Sequence, residues 1–281
     1  MKKLKFILML ILAALLLLIV WIAWGNTALQ LNSYSITSDR LPKAFDGFRI
    51  AQVSDLHNAE MGKDNEKLIS MLTDAAPDII VITGDLIDAN NTNVDTALAF
   101  AEQAVQIAPC YYITGNHEAA LSEYNTLKDG LTTIGVTVLE DAKTEIVVSG
   151  ECITMIGVAD PGFQTDDHTA AMDRKLAELI GEDNGYSILL SHRPELFENY
   201  VAHNVDLVLS GHAHGGQFRL PFIGGLFAPN QGLFPEYDAG IYTAGKTNMV
   251  VSRGIGNSVI PFRVNNRPEV IIIELTSVVN R

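Results

Sequence analysis

The chain has 281 residues, with 33 acidic against 19 basic side chains and a formal net charge of −14. That balance excludes a general nucleic-acid surface, because phosphate backbones are gripped by clustered Lys and Arg and no basic run stands outside the N-terminus. The two cysteines, Cys110 and Cys152, lie in no CxxC spacing and are too few for a disulfide framework; a single bridge is the alternative to the simpler reading, two buried small hydrophobes.

From Phe6 to Trp24 the sequence carries no charge, and at about 1.5 Å of rise per residue a helix of that length nearly crosses a hydrocarbon core of roughly 30 Å. A transmembrane anchor is expected over residues 1–25. Lys2, Lys3 and Lys5 precede it, so the positive-inside rule puts the N-terminus in the cytoplasm and the rest of the chain outside the cell membrane. Trp21 and Trp24 fit an interfacial aromatic belt. The competing reading is a cleaved signal peptide, for which Ala23 and Gly25 supply small residues; its apolar region is normally shorter, about 7–15 residues.

Residues 26–45 read as a linker that becomes an edge strand, and residues 46–281 as one large domain. An apolar, β-branched run that stops abruptly at Asp, Asn or His recurs at Phe48–His57, Asp78–Asp85, Cys110–His117, Tyr186–His192 and Val205–His214. Between the early runs lie helical patterns: Lys63–Ala76, with Leu68, Met71, Leu72 and Ala75 on one face, then Asn93–Ile107 and Ser122–Ile134. From Val136 onward strands dominate, including Glu145–Ser149, Ile153–Val158, Thr247–Arg253 and Val270–Leu275. Strands alternating with helices predict an α/β fold, in the form of a two-sheet sandwich with flanking helices. Ligands bind beyond the carboxyl ends of the strands in such sheets, where the Asp, Asn and His residues fall.

Those residues form a series of short motifs. Asp55-Leu56-His57 puts two ligand-type side chains at i and i+2, on one face if the strand continues to its end. Gly84-Asp85 offers a tight turn and a carboxylate at a strand tip. In Gly115-Asn116-His117-Glu118 the Asn supplies a neutral oxygen while the adjacent His can serve as a proton donor. His192 ends another run, and Gly211-His212-Ala213-His214 adds two imidazoles. Each motif alone is weak, yet each ends an expected strand and all carry oxygen or nitrogen donors. Imidazole plus carboxylate without thiolate suits Mn, Fe or Zn as divalent ions, whereas Mg prefers oxygen-rich coordination.

Taken in order, D-x-H, G-D, G-N-H-[DE], H and G-H-x-H resemble the calcineurin-like metallophosphoesterase superfamily over about Phe48 to His214. The resemblance implies a four-layer sandwich of two mixed β-sheets flanked by helices, and a hydrolase of phosphate esters or anhydrides with two divalent metal ions. One metal would be held by Asp55, His57, Asp85 and His214, and the other by Asp85, Asn116, His192 and His212, so that Asp85 bridges. His117 would bind neither metal and would protonate the leaving group.

Protein phosphatases of the superfamily carry an Arg in G-D-x-V-D-R-G; this chain reads Gly84-Asp85-Leu86-Ile87-Asp88-Ala89-Asn90, which argues against a phosphoprotein substrate. Leu41-Pro42, the extended Gly211–Gln217 motif and Pro261-Phe262-Arg263 look like a bacterial membrane-associated subgroup with a phosphodiesterase-like domain. Relatives of that subgroup act on UDP-2,3-diacylglucosamine, so a lipid-linked phosphodiester or pyrophosphate is the expected substrate class. A small-molecule phosphomonoesterase and a non-catalytic metal-binding membrane module are the alternatives. No obligate protein partner is evident from the sequence. The apolar stretch Gln217–Pro235 reads either as a core-packing excursion or as a rim that accepts lipid. Arg253 and Arg263 read either as phosphate-neutralising groups or as structural ion-pair partners, and Asp160 as a turn-former before Pro161.

Overall fold

A computed structural model of the chain describes residues 2–164, 167–181, 185–257 and 260–278. Helix α1 (Lys2–Thr27) has no buried residue and is long and apolar enough to cross a membrane. Its last turn is tied to the domain. Asn26 brackets the backbone of Arg263, donating from Nδ2 to the carbonyl at 2.9 Å and accepting the N–H at Oδ1 at 2.7 Å. The Arg267 guanidinium lies 4.9 Å from the centre of the Trp24 ring.

The next elements are β1 (Gln30–Ser38), β2 (Arg49–Val53), α2 (Glu66–Ala75), β3 (Ile79–Thr83), α3 (Val94–Ala104), β4 (Cys110–Ile113), α4 (Asn116–Ala119), α5 (Tyr124–Ile134) and β5 (Thr137–Val138). Then come β6 (Ala142–Val148), β7 (Glu151–Gly157), α6 (His168–Leu179), β8 (Ser187–Leu190), α7 (Phe197–Ala202) and β9 (Leu207–Ser210). Two small hairpins follow, β10 (Arg219–Leu220) with β11 (Gly224–Gly225) and β12 (Phe227–Ala228) with β13 (Gly232–Leu233). The chain closes with β14 (Gly240–Ala244), β15 (Thr247–Val251) and β16 (Glu269–Ser277).

Two six-stranded mixed sheets result, ordered β1-β16-β2-β3-β4-β5 and β14-β15-β9-β8-β7-β6. Within them β2 to β5 are mutually parallel, as are β7, β8, β9 and β15. Alternation along each strand divides the core into layers. Ile50, Val81 and Ile271 meet Ile188, Leu207 and Leu209 between the sheets. Ala51, Val53, Ile80 and Ile82 face α2, α3 and α5 through Leu68, Leu72, Phe100 and Leu131. Ile156, Leu189 and Val208 face α6 and α7 through Met172, Leu176 and Tyr200. The order is helices, sheet, sheet, helices. Truncating a fully buried side chain such as Leu72 to Ala would cost about 2–5 kcal/mol.

Strands dominate after Val136 as expected, and helices α6 and α7 cover the second sheet there. Two local expectations are corrected. Met71 is only half-buried on α2. Cys152 is exposed while Cys110 is buried. It sits beside the β6–β7 hairpin turn opposite exposed Val147, and the two-residue period sends Ile153, not Cys152, inward.

Candidate metal centre

Every expected site residue follows the carboxyl end of a parallel strand, and both sheets deliver to the same place. Asp55 and His57 follow β2, Asp85 follows β3, and Asn116 and His117 follow β4; His192 follows β8, and His212 and His214 follow β9. The residues do not converge by strand alternation. β2 ends at Val53, and Asp55 (φ 50°), His57 (φ 48°), Asp85 (φ 50°), His212 (φ 65°) and His214 (φ 47°) all adopt left-handed backbone. Non-glycine residues rarely do so, and such conformations cost of order 1 kcal/mol or more each and persist only where the surroundings enforce them.

Here loop-to-loop hydrogen bonds enforce them: Asp55 N–H to Gly84 O at 3.0 Å, His57 N–H to Asp85 O at 3.0 Å, and His212 N–H to Asp55 Oδ1 at 3.0 Å. The approach is close enough to require glycine. A Cβ on Gly115 would lie 2.2 Å from Asp85 Oδ1, and one on Gly211 would lie 1.9 Å from Ser54 Oγ.

Donor atoms of Asp55, His57, Asp85 and His214 lie within 4.8 Å of one another, and so do those of Asp85, His192 and His212. Asp85 belongs to both groups. His57 Nε2 and His214 Nε2 are 3.2 Å apart; His192 Nε2 is 3.2 Å from Asp85 Oδ2 and 4.0 Å from Asp55 Oδ1. Asn116 Oδ1 is buried and makes no hydrogen bond, a state that is costly unless another partner is bound, and His192 Nε2 has only the Asp85 carboxylate to face. Lone pairs facing one another in a buried, carboxylate-rich space fit divalent cations of the imidazole-binding kind.

Surrounding groups fix the imidazoles for that role. Thr83 O takes the His192 Nδ1–H at 2.7 Å, and Asp88 Oδ2 lies 3.3 Å from His57 Nδ1, so each ring keeps Nε2 toward the cluster. His212 Nε2 is engaged by Asn230 Oδ1 at 3.0 Å and by the Arg193 guanidinium Nη1 at 3.1 Å, so Nδ1 is the ring nitrogen that these contacts leave unused. Burial, and then the charges of Arg193 and His57 respectively, hold His212 and His214 well below the usual imidazole pKa. Burial alone would lower His192 too, but Asp85 and Asp55 drive it up to about 10. In turn His192 and His57 hold Asp85 well below the usual carboxylate range despite its burial. Burial and the charge of Asp85 raise Asp55, against the pull of His192 and His57.

His117 is the second residue of the short helix α4 and is buried. Its N–H donates to Asp85 Oδ1 at 2.8 Å, and its Nδ1 accepts the Ala89 N–H at 2.8 Å, which assigns the ring proton to Nε2.

Several residues to which the sequence alone assigns no role complete the site. Asp88 serves His57. Glu118 accepts backbone N–H groups from Asp85, Leu86, Ile87 and Gly115 at 2.7–3.1 Å. Arg193 directly follows His192; it pairs with both oxygens of Asp160 at 2.6 and 2.9 Å and donates to Asn230 at 2.9 Å. Asp160 also accepts the Gly162 N–H at 2.7 Å, so it forms the expected turn and carries an ion pair besides. Arg263 is structural: its guanidinium donates to Arg253 O and Gly256 O beside His214. Arg193 was discoverable as a neighbour of a candidate ligand. Asn230, eighteen positions and two hairpins from His212, gave no such signal.

A fold of two mixed sheets with six carboxylate and imidazole residues gathered where the strands of both sheets end defines a metal-dependent hydrolase. The profile of the calcineurin-like phosphoesterase family matches residues 48–216, and the chain belongs to that family. A Bacillus subtilis metallophosphoesterase designated YkuE is 31% identical over 256 residues, covering 89% of this chain and 86% of that one. The Escherichia coli phosphodiesterase YaeI is 29% identical over 238 residues, covering 81% and 82%. The crystal structure of TT1561 from Thermus thermophilus superposes with a TM-score of 0.52 at 16% identity, over 74% of this chain and 90% of that one, a likeness of fold. The chain is accordingly a hydrolase acting on phosphoric esters.

Proposed function

We propose that the chain is a two-metal phosphodiesterase or pyrophosphatase acting on a lipid-linked substrate at a membrane surface. The observation that supports the hydrolytic part is the pair of donor groups sharing Asp85; Asn116 Oδ1, from the loop whose Gly115 packs on Asp85, is buried without a hydrogen-bond partner. Asp55, His57, Asp85 and His214 would hold one cation, and Asp85, Asn116, His192 and His212 the other. The chemistry such a pair supplies is charge neutralisation of the phosphoryl group and a lowered pKa for water, so no covalent enzyme nucleophile is needed. His117 presents Nε2–H for the departing oxygen, held in place by the Ala89 N–H. Asp88, Asn230 and Thr83 keep the imidazole donors turned inward.

The membrane part rests on surface chemistry. Phe222, Ile223, Phe227, Leu233 and Phe234 are exposed, which argues for the lipid rim over the core-packing alternative. Those hairpins adjoin the segment that seats the anchor. Phe218 bridges to Val264 and stacks near Phe262 at 5.4 Å, while Asn26 brackets Arg263. The apolar rim and the end of α1 are thus joined through residues 262–264. Each acyl CH2 buried on the rim would contribute about 0.8 kcal/mol. With Lys2, Lys3 and Lys5 before α1, the domain is read as facing outside the cytoplasm.

The test is purified protein, stripped of metal and reloaded with Mn, Fe, Zn or Ca, assayed on soluble nitrophenyl mono- and diesters and on an acylated phosphodiester. Chelation should abolish turnover, Mn should restore it better than Ca, and Phe222→Ser with Phe227→Ser should slow only the acylated substrate. Full activity in excess chelator would refute the metal reading. Equal slowing of both substrates would refute the lipid reading.

A further inference from the structure

We infer that a pocket between the end of α1 and the catalytic domain binds the phosphate of an anionic phospholipid headgroup. The cavity is about 160 Å³, and its walls include Trp21 and Trp24 from α1 and Arg253, Arg263 and Arg267 from the domain. None of the metal-donor residues lines it, although Arg263 reaches from its wall to within 3.4 Å of His214 Nδ1, and the inference does not depend on the proposed hydrolysis.

Charge favours an anion in this cavity. Three guanidinium groups line one small cavity in a chain whose net charge is −14. The nearby carboxylate, Glu269, is fully buried, and its oxygens already accept the Arg253 backbone N–H at 2.7 Å and the Asn32 side chain. It lies 3.7 Å from Arg253 Nε, too far for a hydrogen bond. Three positive charges therefore face two buried carboxylates, Glu269 and, for Arg263, Asp55, which leaves positive charge in excess.

Hydrogen-bonding capacity favours a phosphate there. Arg253 Nε is buried toward Glu269 and makes no hydrogen bond, while the side chain as a whole is partly exposed at the cavity, so a phosphate would meet the outer nitrogens of its guanidinium. Arg267 uses Nε and Nη2 on the carbonyls of Ala28 and Leu29 at 2.7 and 3.0 Å, which holds its guanidinium against the Trp24 ring with Nη1 not used in these bonds. Arg263 is committed to Arg253 O and Gly256 O, so it adds positive potential rather than a contact. A phosphate bearing several acceptor oxygens matches donors that are fixed in place by the backbone.

Position selects the lipid as the source of that phosphate. Trp21 and Trp24 are exposed at the end of a 26-residue apolar helix, where indole rings sit at headgroup level. A headgroup at that depth delivers its phosphate to the arginines while its acyl chains lie along α1. Anionic lipid at the interface favours each nearby Arg by an amount equivalent to about a fivefold change in binding.

The experiment uses the full chain in neutral detergent, stripped of metal so that phosphate cannot report on the metal centre. It is mixed with equimolar phosphatidylglycerol and phosphatidylcholine of the same acyl chains, and retained lipid is read by native mass spectrometry. Phosphatidylglycerol should be retained in preference, about fivefold less so in Arg253→Gln and about 25-fold less in Arg253→Gln with Arg267→Gln. Arg267 also ties down the start of β1, so Tm is measured for each variant, and Arg253→Gln alone decides the question if the double variant unfolds. Equal retention of the two lipids would overturn the inference, as would an unchanged preference in the variants, which would place the lipid on the lysines at the other end of α1. Inorganic phosphate at the lipid's concentration should not displace it; complete displacement would make soluble phosphate the ligand and overturn the lipid assignment.

Discussion

Glu118 Oε2 accepts the backbone N–H of Asp85 at 2.9 Å, so a carboxylate from one motif loop fixes the backbone of the residue that both donor groups share. The same side chain takes the N–H groups of Leu86, Ile87 and Gly115. Burial and the charge of Asp85 push its pKa up to about 7 against the pull of those N–H groups. Glu118→Gln would turn an amide NH2 toward backbone donors. Metal affinity should fall about 10- to 100-fold, with a matching loss of turnover at limiting metal. Titration of metal into the stripped variant checks this; wild-type affinity would show that the four hydrogen bonds do not position Asp85.

Asp85→Asn should remove more metal and more activity than loss of any other single donor, because only Asp85 belongs to both groups. An amide keeps the size but supplies one neutral oxygen where a carboxylate supplies two charged ones. Metal content per chain decides the matter. Two metals retained at near-normal turnover would remove the bridging role.

Metal loading should release protons at neutral pH. In the metal-free protein His192 is raised to about 10, so its imidazole is charged at pH 7 and must lose that proton to serve as a donor. Apparent metal affinity therefore rises with pH up to about 10, and calorimetry in buffers of different ionisation enthalpy measures the protons. The sign for stability follows from the same group. A folded pKa above the unfolded value near 6.5 stabilises the metal-free fold fully below about pH 6.5 and loses that contribution as pH climbs toward 10. Metal-free Tm should fall across that window while the loaded protein's does not. Loading without proton release at pH 7 would contradict the assignment.

The donors were legible in the sequence because each sits where an apolar run stops, and sheet strands in this fold end at one edge. Their backbone was not legible. Asp55-Leu56-His57 looks like a strand alternation, yet the chain leaves the strand at Val53 and turns left-handed at both donors, held by Gly84 O and Asp85 O from another loop. Such enforcement is tertiary and leaves no periodic trace. Likewise Asn230 reaches His212 only because two hairpins fold back over the site. The apolar residues of those hairpins gave no alternation to tell rim from core, since strands of two residues are too short for a period to show.

His117→Ala should keep its metals and lose about 10²–10⁴-fold in turnover on an ester with an alkoxide leaving group. The geometry separates the two effects. Neither His117 nitrogen belongs to the donor groups around Asp85, so removing the ring leaves those groups intact. The ring is held instead by the Ala89 N–H on Nδ1, at 2.8 Å, and edge-on against His57 with centroids 4.4 Å apart. Its free nitrogen, Nε2, is therefore the one that can meet a departing oxygen. An alkoxide needs that proton, whereas a nitrophenolate leaves readily without it, so the loss should shrink markedly on nitrophenyl esters. Comparing kcat for the two leaving groups, with metal content measured on the same samples, separates proton donation from damage to the site. Equal losses on both substrates at full metal loading would remove His117 from the proton-transfer step.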